Sequence, residues 1–323
     1  MDEITQARIV ETPEDLEELL TAHPDYDVQL ESLNQRQLAW RRFKRHRMAL
    51  IGSTMFLGMV LIGIIGPQLL PFDKNSYIPL DQVSQNGRPP MVSPYFHPFG
   101  ETTQLQYDVL TLVVNGIGLS LLISVGATFI ATIIGTIVGG VSGYFGGWLD
   151  TILMRIVDAM LAMPLIYLIL VFSEFLGNGS ASWFTIMLIF ALLGWLQTAR
   201  LVRSLILSLR EEDYVDAARV AGVGRLRIIF RHLLPNALSP IIVAATLSIA
   251  GFITAEAFVS FVGYGISATT PTLGNILEGA QQAIGQGNWW WAVFPGLAIV
   301  AIVLGINFMG DGLQDALDPR AKI

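Results

Sequence analysis

Residues 109–149, VLTLVVNGIGLSLLISVGATFIATIIGTIVGGVSGYFGGWL, contain no Asp, Glu, Lys or Arg. An α-helix needs about 20 apolar residues to cross the hydrocarbon of a bilayer. A soluble helix this long would show a charged face, so the stretch reads as a membrane span. Its small residues (Gly116, Gly118, Gly126, Gly135, Gly139, Gly140, Gly143) suit close backbone approach between helices in lipid.

Working outward, five more apolar runs give six spans in all, at about 48–70, 110–141, 151–176, 183–207, 240–262 and 289–310. In the third, Pro164 is expected to kink the helix. For the fifth, Ser239 is the expected N-cap with Pro240 at the first helical position. Trp289, Trp290 and Trp291 read as an interfacial belt at the start of the sixth. The whole chain agrees. It is 323 residues long, 53% hydrophobic and only 14% charged, with a mean hydropathy of +0.56, whereas soluble domains carry about 25% charge. The fold class expected is all-α and integral to a membrane.

The net charge of −7 does not describe the membrane body. Residues 1–31 hold ten acidic residues and one Arg, and the remainder is slightly basic. A basic cluster, Arg41, Arg42, Lys44, Arg45 and Arg47, ends a polar leader whose residues 32–47 read as a short amphipathic helix. The first apolar run begins too late for a cleaved signal peptide. Of 19 Lys and Arg, 17 fall on the side shared by the two ends and by the segment between spans four and five. Only Lys74 and Arg88 fall opposite, so the positive-inside rule predicts cytoplasmic termini. The expected organisation is a cytoplasmic acidic tail and lead-in at 1–47, a first span at 48–70, and an extracytoplasmic loop at 71–109. A five-helix core follows at 110–313, with a patterned inner loop at 208–236, and then a cytoplasmic C-terminus at 314–323.

Much chemistry is missing. There is no cysteine, which excludes disulfides, thiolate metal sites and a Cys nucleophile. None of the three lysines follows a glycine, so there is no Walker A phosphate loop. The four histidines show no metal-ligand spacing. No catalytic residue, bound cofactor, metal site or nucleic-acid surface is expected.

The most informative loop is SLREEDYVDAARVAGVGRLRIIFRHLLPNALSP, residues 208–240. Tyr214, Ala217, Ala218 and Ala221 fall at i, i+3, i+4, i+7, a helix face of small residues apart from the tyrosine. Ser208 with Glu211 has capping-box spacing. Gly222-Val223-Gly224 breaks that helix. Leu226, Ile229, Phe230 and Leu233 repeat the same pattern, and Pro235 is expected to end it. Two short amphipathic helices hinged at glycine result. Such a pair lies either on lipid, anchored by Arg, or in a protein groove. The alanine face buries little area in lipid, which favours the groove.

These residues resemble the coupling motif of membrane subunits of ATP-binding-cassette importers, E-A-A, three residues, G, nine residues, I-x-L-P. Asp216 stands for the Glu and His232 for the Ile, with Gly222, Leu234 and Pro235 in place. RHLLPN (231–236), MRIVDAMLAMP (154–164), AEAFVSFVGYG (255–265) and PGLAIVAIVLGINFMGDGLQDALDPR (295–320) resemble the peptide-permease branch. The leader RRFKRHRMALIG (41–52) resembles its dipeptide/oligopeptide C-type subunits, and the resemblance covers about residues 40–323. One segment departs from the pattern. HPFGETTQLQYDVL (97–110) keeps His97, Pro98, Phe99, Gly100 and Asp108 but loses the subfamily's T-D and G-R, with Tyr107 where Arg would stand.

The resemblance implies a type I importer permease in a bacterial or archaeal plasma (inner) membrane, forming half of a path for peptides. Its implied partners are two ATPase subunits that bind ATP and Mg, a second homologous permease that is a different chain, and an extracytoplasmic binding protein. Tyr214, Asp216, Ala217, Ala218, Ala221, Gly222, Leu234 and Pro235 would couple to the ATPase, and Gly222→Leu would block docking. Among charged residues in spans, which cost about 2.5–3.5 kcal/mol each on insertion scales, Asp158 is expected to pair with Arg155. Glu256, Asn307 and Asp158 are the candidates for the translocation path or an inter-subunit contact. Oligosaccharides or a nickel complex are the alternative substrates within this class. An ion-gradient secondary transporter is the alternative outside it, although the inverted repeats and broken helices of such proteins are not visible in the sequence.

Overall fold

The computed structural model describes residues 35–70, 89–90, 97–102, 107–177, 181–266 and 270–317. The expectations for the acidic tail 1–31, for most of the 71–109 loop and for the last six residues of the C-terminus fall outside them. By internal contacts the chain divides into Met1–Leu38 and Ala39–Ile323. The described elements are helical: α1 (Gln35–Arg45), α2 (Arg47–Leu69), α3 (Val109–Phe145), α4 (Gly147–Leu161), α5 (Leu165–Gly177) and α6 (Trp183–Leu209) come first. After these come α7 (Asp213–Val220), α8 (Arg225–Ile228), a π-turn (Ile229–Leu233), α9 (Leu234–Phe261), α10 (Leu273–Gly285) and α11 (Trp290–Leu317). Five helical stretches are long and apolar enough to cross a membrane, and α4 with α5 makes a sixth if the bent pair counts as one.

The contacts order the ends of the bundle. At one end, Gly63 and Gly66 near the close of α2 approach Gly118 and Val114 near the start of α3. Trp290, at the start of α11, donates its indole N–H to the Glu101 carbonyl there (3.2 Å). At the other end, His46 Nδ1 accepts the Ala49 N–H and caps α2 (3.0 Å), while its Nε2 lies 3.4 Å from Asp315 near the close of α11. The bent pair leaves this second end, where Asp150 meets Arg203 (2.5 Å), and arrives at the first, where the Ser173 hydroxyl donates to the Tyr264 carbonyl. It therefore traverses the bundle. The beginning of the first span and the end of the last lie at one common end.

Glycine builds the tightest interface, α3 against α6. A Cβ on Gly135 would stand 2.5 Å from Thr198 Cβ, and one on Gly139 would run into the Ala199 carbonyl oxygen. The four-residue spacing of Gly135, Gly139 and Gly143 keeps this flat strip on one face. Two bonded ion pairs fasten α4 to α6 at the same end. Arg203 grips Asp150 with Nε and Nη2 (2.5 and 2.7 Å), and Arg200 grips Asp158 (3.1 and 2.6 Å).

Several expectations need correction. The bend expected at Pro164 is present but is a break rather than a kink: α4 ends at Leu161, α5 begins at Leu165 and the two meet at 87°. Proline both lacks an N–H and excludes the preceding residue from helical geometry. Ser239 is not an N-cap, because α9 already begins at Leu234 and carries Pro240 inside it. Nor does Pro235 end a helix. It falls in the first turn of α9, directly after the π-turn in which the Leu234 N–H bonds the Ile229 carbonyl, and at a first turn the missing N–H costs little. The tryptophan belt reduces to Trp289, 52% exposed, since Trp290 and Trp291 are buried. Asp158 pairs with Arg200 rather than Arg155, because a cross-helix guanidinium reaches it in a two-bond grip.

Candidate functional site: the loop between α6 and α9

The loop grows out of α6, which runs to Leu209 and is capped by Arg210. Ser208 thus belongs to the last turn of a span, and the capping box with Glu211 does not form. Arg210 instead donates to the Gly143 carbonyl at the end of α3 (3.0 Å) and pairs with Glu211 (2.9 Å). Helix α7 starts with Asp213 and Asp216 in its first turn and Arg219 in its last, which suits the helix dipole. Arg219 bonds Asp216 (2.7 Å) and the Arg210 carbonyl (3.3 Å), and its guanidinium lies 6.0 Å from the Tyr144 ring centroid. Asn236 donates to the Tyr214 hydroxyl (3.2 Å). These contacts tie α7 to the ends of α3, α6 and α9.

Gly222 closes α7 as expected. At φ +76° its N–H bonds the Arg219 carbonyl, and the Val223 N–H bonds the Ala218 carbonyl, both at 3.0 Å. This is the Schellman arrangement, which needs a left-handed residue and so selects glycine.

The predicted faces are redistributed. Of the small face, Ala218 is buried beside Val215, packed with Val202, Ile206, Ile228, Ile229, Leu233, Ala237 and Ile241. Tyr214, Ala217 and Ala221 are exposed, with Asp216 beside them. In the second helix Ile229 and Leu233 are buried, while Leu226 and Phe230 are 62% and 60% exposed. Val220, which the periodicity had left out, is 91% exposed. Leu234 is half-buried and Pro235 exposed. The loop therefore exposes the apolar side chains of Ala217, Val220, Ala221, Leu226 and Phe230, and Arg225 and Arg227 are exposed among them in sequence. A shallow depression lined by Phe145, Gly224, Arg225, Leu226 and Arg227 adjoins it. No covalent chemistry is arranged here. The surface is suited to receiving another protein.

The other candidates scatter. Asp158 sits in its ion pair with Arg200. Asn307 is half-buried within α11. Glu256 is 1% exposed and accepts hydrogen bonds from the Ser120 and Ser260 hydroxyls, both at 3.0 Å. Among the described residues, no group of three or more His, Asp or Glu is placed to hold a metal.

At the opposite end, the residues that segment 97–110 keeps are those that fold it. His97 Nδ1 is 3.1 Å from Asp108 Oδ1. Asp108 Oδ2 accepts the Thr111 N–H and hydroxyl (2.8 and 2.7 Å) and caps α3. Phe99 stacks on Phe294 of α11 at 4.0 Å. Sequence reading missed the Asp150–Arg203 pair, although Arg200 and Arg203 share a face by their spacing of three. It also missed α10, whose N-cap Thr272 and N3 Asn275 form a capping box.

The chain is thus an all-helical bundle with five stretches able to cross a membrane, or six if the bent pair is one span, and exposed apolar side chains in the loop at one end. Residues 131–323 match the family described as binding-protein-dependent transport system inner membrane component, and the chain belongs to that family. Residues 34–104 match the N-terminal transmembrane domain of oligopeptide transport permease C. The dipeptide transport system permease protein DppC of Bacillus subtilis is 36% identical over 91% of this chain and 89% of its own length. The protein of the same name from Haemophilus influenzae is 35% identical over 88% and 94%. A putative peptide transport system permease protein of Brucella abortus is 39% identical over 88% and 92%. The chain is a permease component of a binding-protein-dependent transport system and is not itself the catalyst. Its class works with ATPase and binding-protein partners.

Proposed function

We propose that this chain is one of two permease subunits of an ATP-binding-cassette importer, lining half of the path for dipeptides or oligopeptides handed over by a binding protein. The second permease is a different, homologous chain, and two ATPase subunits bind ATP and Mg beneath the pair. The α7–α8 surface docks one ATPase. Its end of the bundle is cytoplasmic, and both termini face that side. The observation that carries this reading is the exposed apolar surface of Ala217, Val220, Ala221, Leu226 and Phe230 at the end of the bundle, where 7 of the 19 basic residues also lie, between positions 200 and 231. Several large apolar side chains exposed in one loop, Val220 at 91%, Leu226 at 62% and Phe230 at 60%, support a protein partner there. ATP-driven movement of the ATPases would then rock packed helices as rigid bodies, giving alternating access. The relatives named as dipeptide and peptide permeases support the substrate class.

The test is purification of the tagged chain from its own membranes in mild detergent, with identification of co-purifying chains. A P-loop ATPase and a second permease of this family support the proposal. A chain that emerges alone or only with copies of itself overturns it.

A further inference from the structure

The carboxylate of Glu256 lies inside α9, and a buried acid in a spanning helix is costly enough to need a purpose. Its Oε2 accepts the Ser120 hydroxyl of α3 at 3.0 Å. Its Oε1 accepts the Ser260 hydroxyl one turn along α9 at 3.0 Å. The Thr272 side chain faces the same carboxylate. Thr272 is the N-cap of α10: its oxygen accepts the Asn275 N–H (3.2 Å), while the Asn275 side chain accepts the Thr272 N–H (2.9 Å). Ser120 closes the ring by accepting the Leu273 N–H (3.2 Å). One carboxylate thus joins the first turn of α10 to two spans.

Packing around this node leaves no slack. A Cβ on Gly274 would lie 2.7 Å from Ser260 Cβ, and one on Gly116 would lie 3.1 Å from the Leu273 nitrogen. Leu273, Ile276, Ala280 and Ala283 of α10 are buried against α3 and α11, and Glu278 and Gln281 are exposed on its other side. The two spans that Glu256 bonds are also those that reach the docking loop. Helix α3 runs from Gly116, beside α10, to Gly143, beside Arg203, roughly 40 Å at 1.5 Å per residue. Helix α9 begins at the loop itself.

We propose that Glu256 is a positioning residue: it pins α10 to α3 and α9, so that the helix at the delivery end and the ATPase-docking loop at the other belong to one rigid unit. This rests on the importer reading for which end receives the binding protein, but the pinning itself does not. Because the chain has no cysteine, Ala280→Cys introduces a single reporter on the buried face of α10. Its reaction with a polar maleimide is followed in nanodiscs, which leave both faces accessible. ATPase activity of the assembled complex is titrated in parallel with the loaded binding protein.

With Glu256→Ala, maleimide labelling is expected to quicken at least tenfold. The half-stimulating concentration of binding protein should rise at least tenfold, with the maximal rate changed less than threefold. Glu256→Gln, which keeps an acceptor of the same size, should stay within threefold of the parent in both. Should Glu256→Ala fail to assemble, Ser120→Ala and Thr272→Val each remove one bond and should shift both readings in the same sense. Labelling that does not change when the carboxylate or its partners are removed overturns the pinning. Faster labelling with an unchanged half-stimulating concentration overturns the link to delivery. A parent complex that no binding protein stimulates contradicts the importer reading, and the labelling arm then still decides the pinning.

Discussion

Replacing Gly222 with leucine separates a backbone requirement from a contact. At φ +76° an L-residue is strained, yet a Cβ built there meets nothing within 4 Å, so the cost is conformational alone. It is about 1–2 kcal/mol, a factor of about 5–30 in an equilibrium constant. The strain is relieved only by giving up the Arg219–Gly222 and Ala218–Val223 bonds, which would unwind the last turn of α7 and displace Val220 and Ala221. The expected result is an ATPase-subunit affinity weakened by about 5–30-fold, reduced rather than abolished. The assay is titration of labelled ATPase subunit onto the permease pair in nanodiscs. Gly222→Asn, which tolerates the left-handed region, should stay within about threefold. Leucine with no effect, or asparagine as harmful as leucine, would refute the reasoning.

Three further outcomes follow from the same geometry. Val220→Asp should abolish stimulation of the ATPase while leaving the thermal midpoint of the permease unchanged, because a side chain 91% exposed contributes little to folding; a lowered midpoint counts against the docking role. Gly139→Leu should sharply lower the yield of folded protein, measured by gel filtration in detergent, since its side chain collides with backbone of α6. Asp150→Ala and Arg203→Ala should be non-additive in thermal stability, with a coupling of about 0.5–3 kcal/mol, because either change strands a partner of the two-bond grip; additive losses would remove that pair from the account.

Membrane character, the approximate spans and the glycine hinge were legible because they depend on local signals: uncharged length, periodicity, and the one residue type that accepts a positive φ. Misreadings arose wherever a neighbour decided the outcome. Asp158 had a local partner available in Arg155, but Arg200 across the helix interface offered two bonds at once. Pro235 carried the usual signal of a helix end, yet a π-turn let the helix run on through it. The repeat of Tyr214, Ala217, Ala218 and Ala221 correctly announced a helix. Three of the four are exposed together, but Ala218 lies inward with Val215, and Val220, outside the repeat, lies outward. Glu256 was visible as an anomaly and Ser260 stands one turn away, but its other partners lie on α3 and at the start of α10, which no spacing in the chain reveals.

The docking surface is the central claim, and cross-linking from single cysteines tests it most directly. The native chain supplies a cysteine-free background. Val220→Cys and Ala218→Cys are joined with a short bifunctional reagent to the ATPase subunit in the assembled complex. The account predicts rapid cross-linking from position 220 and little from position 218, which is only 8% exposed. Efficient cross-linking from 218 but not from 220, or from neither while the complex remains intact, would contradict it.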